Sequence, residues 1–123
     1  MADELILVVE DDELSRKTLR DVLRAQGYRI VLTVTAEEGI EIARTQQPRL
    51  VLMDLQLPGM DGVSAMKHLK ADPATRHIPV IAVTGSAMPR DRSRIVAEGF
   101  DGFQQKPLSV KAFLAELRRV IGG

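Results

Sequence analysis

Six side chains in this 123-residue chain join reactive chemistry to a common kind of position. Glu10, Asp11 and Asp12 follow directly on the apolar run "LILVV" (5–9). Asp54 follows "LVLM" (50–53) and precedes the turn-rich "LQLPGMDG" (55–62). Thr84 closes "VIAVT" (80–84), and Lys106 follows "GFQQ" (102–105). If these runs are strands of one parallel sheet, their C-terminal ends share one edge, which is where such sheets bind ligands. Three or four carboxylates, one hydroxyl and one ammonium then meet in a single crevice. Like charges ~4 Å apart repel by roughly 4 kcal/mol at an effective dielectric of 20, so the acids call for a cation. Mg²⁺ suits them, because it takes one or two carboxylates, keeps several waters and shares phosphate oxygens. A carboxylate at a strand end can also act as a nucleophile and form an aspartyl-phosphate. Asp54 fits that role, with Lys106 as counter-charge.

The elements that must place these groups alternate along the chain. The strand-sized runs are 5–9, "YRIVLTV" (28–34), 50–53, 80–84 and 102–105, mostly rich in β-branched residues. The first, third and fourth are almost continuously apolar, as in strands covered on both faces. Between them lie helix patterns. In "ELSRKTLRDVLRAQG" (13–27), Leu19, Val22, Leu23 and Gln26 mark turns, Leu14 and Thr18 extend the inner face, and Gly27 is the stop. Thr35 and Glu38 form a capping-box pattern ahead of a second helix. A third helix fits 62–70. A fourth fits 89–98, with Pro89 in its first turn and Gly99 as the stop. Ser109 caps a fifth, whose apolar side is Val110, Phe113, Leu114, Leu117, Val120 and Ile121. Five β-α repeats predict an α/β fold, a parallel sheet with helices on both faces.

Composition bounds the function. The chain is 45% hydrophobic and 28% charged, with 17 basic and 17 acidic residues, so its formal charge is zero. That balance argues against a dedicated nucleic-acid or membrane-surface binder. There is no cysteine, hence no disulfide and no thiolate metal site. No apolar run approaches the roughly 20 residues of a membrane span, and the start lacks signal-peptide features. The expectation is one cytoplasmic domain over residues 1–123 with no output domain.

The motifs "ILVVEDDE", "LVLMDLQLPGMDG", "PVIAVTGSA" and "GFQQKPL" occur in this order at family spacing. Together they resemble the response-regulator receiver domains of two-component signalling, the CheY-like family, over essentially the whole chain. Among single-domain members the DivK-type regulators are most similar. The resemblance implies a flavodoxin-like, three-layer (βα)5 fold with strand order 2-1-3-4-5. It implies Asp54 as phosphoacceptor, with a histidine kinase or histidine phosphotransfer protein as donor. It implies Mg²⁺ held by Asp11 directly, by Glu10 through water, by Asp54 and by the backbone carbonyl of Gln56. Thr84 would be the switch hydroxyl, Lys106 the phosphate-contacting lysine before a cis bond to Pro107, and Phe103 the switch aromatic. An unknown downstream protein would read helix four, strand five and helix five, without direct nucleic-acid contact. The chain would catalyse only its own phosphorylation and hydrolysis. Gly85 departs from the commoner alanine, and Phe103 from the frequent tyrosine. Gln56 and Ser86 occupy positions that tune dephosphorylation in the family.

Plainer readings stand beside these. Asp12 lies where the first helix begins and can be a simple cap. His68 and His77 read as surface or loop residues, and "PRDRSR" (89–94) as a solvated helix face. Phe103 could be plain core. A phosphohydrolase of the haloacid-dehalogenase type would also use an aspartyl nucleophile, but needs a second acid where Gln56 stands and a substrate cap. A dead-site interaction module would have lost Asp54, Asp11 or Lys106.

Overall fold

The computed structural model describes residues 4–85 and 91–122. The order is β1 (Leu5–Val9), α1 (Glu13–Ala25), β2 (Arg29–Thr33), α2 (Ala36–Gln46), β3 (Leu50–Asp54), α3 (Gly62–Ala71), β4 (Val80–Thr84), α4 (Arg92–Ala97), β5 (Gly102–Gln105) and α5 (Val110–Ile121). All strand pairs are parallel and the sheet runs β2-β1-β3-β4-β5. The alternation is that expected from the sequence pattern, and the strand order is that implied by the family resemblance.

Alternation along each strand splits the core in two. Ile6, Val8, Leu50, Leu52, Ile81 and Val83 face α1 and α5, where Leu19, Leu23, Phe113 and Leu117 meet them. Leu7, Val9, Val51, Met53, Val80 and Ala82 face the opposite way, against α2, α3 and α4. The continuous apolar runs of β1, β3 and β4 follow from this double cover, since neither face of those strands meets water. Burying one such Leu or Ile side chain contributes roughly 1.5–3 kcal/mol.

The helix starts are capped as their sequences suggest. Asp12, Thr35, Asp61 and Ser109 each accept a hydrogen bond from the backbone N–H three residues on. Only half of the Thr35–Glu38 capping box forms. Thr35 Oγ1 accepts from Glu38 N, but the Glu38 carboxylate turns to the Thr33 hydroxyl.

Several helix positions differ from expectation. Leu14 is 74% exposed and Val110 is 50% exposed. Both lie in the first turns of their helices. Gln26 is the C-cap of α1 and is exposed, the chain turning at Gly27 with φ 91°. The fourth helix spans Arg92–Ala97, and its expected start at Pro89 lies outside the described residues. β2 is trimmed to Arg29–Thr33.

Candidate functional site

Strand register decides which side chains meet. Val9 pairs with Met53, so the next residues, Glu10 and Asp54, lie side by side at the edge. Asp54 pairs with Val83, and Thr84 with Gln105, which sets Lys106 one step beyond β5 and next to the same edge. Lys106 N donates to Thr84 O at 2.8 Å, continuing the ladder past β5. The Lys106–Pro107 bond is cis.

The lysine spans the two buried acids. Its Nζ lies 2.9 Å from Glu10 Oε2 and 3.4 Å from Asp54 Oδ2. Glu10 is 1% exposed and Asp54 4% exposed, whereas Asp11 reaches out into solvent. Oxygens of Glu10, Asp11 and Asp54 all lie within 4.8 Å of one another. Short backbone contacts fix the cluster. Asp12 N donates to Glu10 Oε2 at 3.1 Å, Gln56 N to Asp54 Oδ1 at 3.1 Å, and Arg16 Nη1 to the Glu10 carbonyl at 3.1 Å.

The charge pattern is strained in a specific way. Burial pushes the Glu10 carboxyl up to about 7, and the adjoining Asp54 carboxylate adds to the rise, while Lys106 and the Asp12 N–H oppose it. For Lys106, burial by itself would lower the ammonium. The hydrogen bond and charge of Glu10, with the charge of Asp54, more than reverse this and hold it above the usual lysine range. Among the described residues, Glu10 Oε1 is the buried side-chain atom that accepts from no donor. While both acids are ionised neither can donate to the other, so Lys106 is shared between them and Glu10 Oε1 is left for a proton or a cation. A hard cation fits this donor set: three carboxylates, one with an orphaned oxygen, all at one rim.

The expected residues thus gather as follows. Glu10, Asp11, Asp54 and Lys106 converge. Thr84 is fully buried at the end of β4, and exposed Gln56 lies two residues past Asp54. Asp12 is the cap of α1, accepting from Ser15 N at 2.9 Å, so the plainer reading holds for it. Phe103 lies at the other end of β5 from Lys106, its ring already buried and under the Arg92 guanidinium at 5.8 Å. Ser86 lies outside the described residues.

Two contributors went unread in the sequence. Arg16 had no signal beyond its place one turn into α1. Gly62 had one, a glycine at the first helical position after the Asp61 cap. A Cβ there would lie 2.2 Å from the Asp54 carbonyl oxygen and 2.8 Å from Leu55 Cα. Gly62 N also donates to Leu55 O at 3.1 Å. The start of α3 is therefore packed onto the backbone that carries Asp54, and only glycine permits it. Gly85 differs, since a Cβ there would sit 3.6 Å from Lys106 Cβ and Cδ, in ordinary contact.

Known proteins share this fold. The family model for the response regulator receiver domain matches residues 6–118. The polar-differentiation response regulators DivK of Brucella ovis and Brucella anthropi are each 42% identical over 117 residues, covering 95% of both chains. The receiver domain of a sensor histidine kinase from Pseudomonas aeruginosa PAO1, solved with a magnesium ion coordinated in its active-site cleft, is 31% identical. It superposes with a TM-score of 0.88 over 98% of this chain and 99% of its own. The chemotaxis response regulator CheY4 of Vibrio cholerae, 22% identical, shares the fold at a TM-score of 0.86, over 96% of this chain and 98% of its own. No described helix is long and apolar enough to cross a membrane. With a family match over nearly its whole length and relatives alike from end to end, the chain belongs to the response-regulator receiver domains of two-component systems.

Proposed function

We propose that this receiver is switched by phosphorylation at Asp54. The observation that carries the reading is the Asp54 carboxylate itself. It ends a buried central strand, touches Lys106 and abuts Glu10, with Asp11 in reach. An Asp54 oxygen attacks the phosphorus of a phosphohistidine on a kinase or phosphotransfer protein. The P–N bond breaks and the imidazole leaves with its electron pair, taking up a proton. Lys106 neutralises a phosphoryl oxygen, which is most of what such a transfer requires. Mg²⁺, held by Glu10 through water, by Asp11, by Asp54 and by the Gln56 carbonyl, would supply further charge neutralisation and alignment. Hydrolysis reverses the state when water attacks the phosphorus and the P–O bond to Asp54 breaks. Receiver domains are signalling switches rather than classical enzymes, so these steps act on the chain itself.

Thr84 donates its hydroxyl to a phosphoryl oxygen and draws the end of β4 inward. The Phe103 ring is already buried, so phosphorylation holds that placement rather than creating it, and steadies the α4–β5–α5 face for a downstream protein. A shift from 1:99 to 99:1 needs roughly 5.5 kcal/mol of differential stabilisation. Two charge-assisted hydrogen bonds at roughly 1.5–3 kcal/mol each approach it. We read residues 1–123 as one cytoplasmic receiver domain.

The test is incubation with acetyl phosphate, with and without Mg²⁺, read by intact mass. One phosphoryl group should be gained only with Mg²⁺, and Asp54→Asn should gain none. Equal labelling of that variant would overturn the assignment.

A further inference from the structure

Besides Glu10 and Asp54, a third carboxylate is buried without serving the site just described. Glu116 of α5 is 7% exposed. Its Oε2 accepts from the backbone N–H of Phe103 at 2.8 Å, the N–H of a strand at the edge of the sheet. Two guanidiniums converge on it. Arg119, one turn on in α5, binds both oxygens, through Nε at 3.0 Å and Nη2 at 2.9 Å. Arg92, the first residue of α4, reaches the same Oε2 at 3.4 Å and lies over the Phe103 ring.

The backbone makes room for this arrangement. A Cβ at Gly102 would stand 2.7 Å from Glu116 Oε2, and 3.1 Å from Ile81 Cγ1 and Val120 Cγ2. An alanine would displace the carboxylate from Phe103. Arg119 Nη2 also donates to the Asp101 carbonyl at 2.9 Å, and the Asp101 carboxylate is held by Lys70 of α3. The charged groups around Glu116 are therefore Arg119 on its own helix, Arg92 on α4, and Asp101 already neutralised by Lys70. One buried anion serves two cations and one strand amide.

We propose that Glu116 is a positioning residue, a clasp that ties α4 and the switch-aromatic strand β5 to α5 as one unit. Arg92 has two holds on β5, the ring of Phe103 and, through Glu116, its amide. α4 cannot leave β5 without breaking both. A carboxylate that bonds a strand amide and two arginines costs less to keep than to strip, because removing a partner leaves a buried charge. The clasp's use in signalling rests on the proposed switching at Asp54. Its existence does not, since it belongs to the unphosphorylated fold.

The test therefore uses no phosphoryl donor. The ¹⁵N-labelled full chain is titrated from about pH 7 to about pH 3, across the carboxylate range. The Phe103 amide proton should move with Glu116, whose carboxyl is opposed by burial but held below the usual range by Arg119, the Phe103 N–H and Arg92. Arg92→Gln should raise that midpoint, because a cation favouring the charged form is gone. Glu116→Gln should abolish the titration and lower the order parameters of Arg92–Ala97 from about 0.85 toward about 0.6. Gly102→Ala should loosen α4 in the same way without touching either charge. A Phe103 amide that stays flat in the parent, or an α4 as rigid in Glu116→Gln as in the parent, would overturn the proposal. If Glu116→Gln does not fold, Arg92→Gln decides: its site is half-exposed, and an unchanged midpoint refutes the clasp. Acetyl-phosphate labelling of the parent is scored separately, so failure at Asp54 and failure of the clasp cannot be confused.

Discussion

Gly62→Ala adds one methyl group and no charge, yet it should damage both stability and the site. The new Cβ would lie 2.2 Å from the Asp54 carbonyl oxygen and 2.8 Å from Leu55 Cα, so about 1 Å of movement is needed to reach ordinary contact. The obstructing atoms are backbone, which cannot rotate away as a side-chain end can. Overpacking typically costs about 1–3 kcal/mol, and a backbone clash belongs at the top of that range. Against it stands the gain from replacing glycine in a helix, about 1 kcal/mol at most. The expected net loss is about 2 kcal/mol. With an unfolding entropy of roughly 2.1 cal/mol/K per residue over this chain, Tm should fall by about 8 °C. The movement falls on the residue that carries the proposed phosphoacceptor, so acetyl-phosphate labelling should slow as well. Gly85→Ala is the matched control. Its Cβ meets Lys106 Cβ and Cδ at 3.6 Å, with nothing to displace. It should stabilise by about 0.5 kcal/mol through the unfolded chain. Calorimetry and labelling rates on the two variants decide the matter. A Gly62→Ala protein as stable and as reactive as its parent would refute the packing argument.

Other expectations follow from the acids. The Glu10 carboxyl, at about 7 in the fold against an ordinary 4.5, keeps a proton that the unfolded chain releases. Metal-free stability should therefore fall as pH rises from about 4.5 to about 7, by up to roughly 3 kcal/mol, and Glu10→Gln should lose that slope in denaturant titrations with chelator. Asp11→Ala should weaken Mg²⁺ binding more than about tenfold by calorimetric titration, while metal-free stability holds or rises as a repulsive charge goes. Unchanged affinity would place the metal elsewhere. Thr84→Ala should still be phosphorylated, but the amide shifts of β5 should respond far less than in the parent. A full response would move the coupling to Lys106.

Much of this was legible because a parallel sheet sorts residues by place. β1, β3 and β4 announce themselves as apolar runs, since both faces are covered, and whatever follows such a run must lie at the binding edge. Glu10, Asp54, Thr84 and Lys106 could be read that way from one sequence. Leu14 and Val110 could not be judged, because helical periodicity assigns a face without saying how much of that face is covered. The clash at Gly62 is with backbone brought close only by the loop's return, and a glycine after a helix cap does not reveal its neighbour. Glu116 sits among the apolar positions of α5 as a charged residue, which patterning assigns to solvent. Its partners Arg92 and Phe103 are on other elements, joined to it by tertiary packing alone.

The carboxylate on the outer side of β5 has a further effect, on assembly. A strand at the rim of a sheet offers unpaired amides on which another chain can build a strand of its own. Here the Phe103 amide is already taken by Glu116 at 2.8 Å, and the α5 side chain stands where an added strand would lie. The edge is closed from within by a charge, so extending the sheet by a foreign strand would require stripping a buried anion from its cations. A protein that engages the β5 rim would meet this side chain before it could continue the sheet, and at that rim the same carboxylate stands against edge-to-edge pairing.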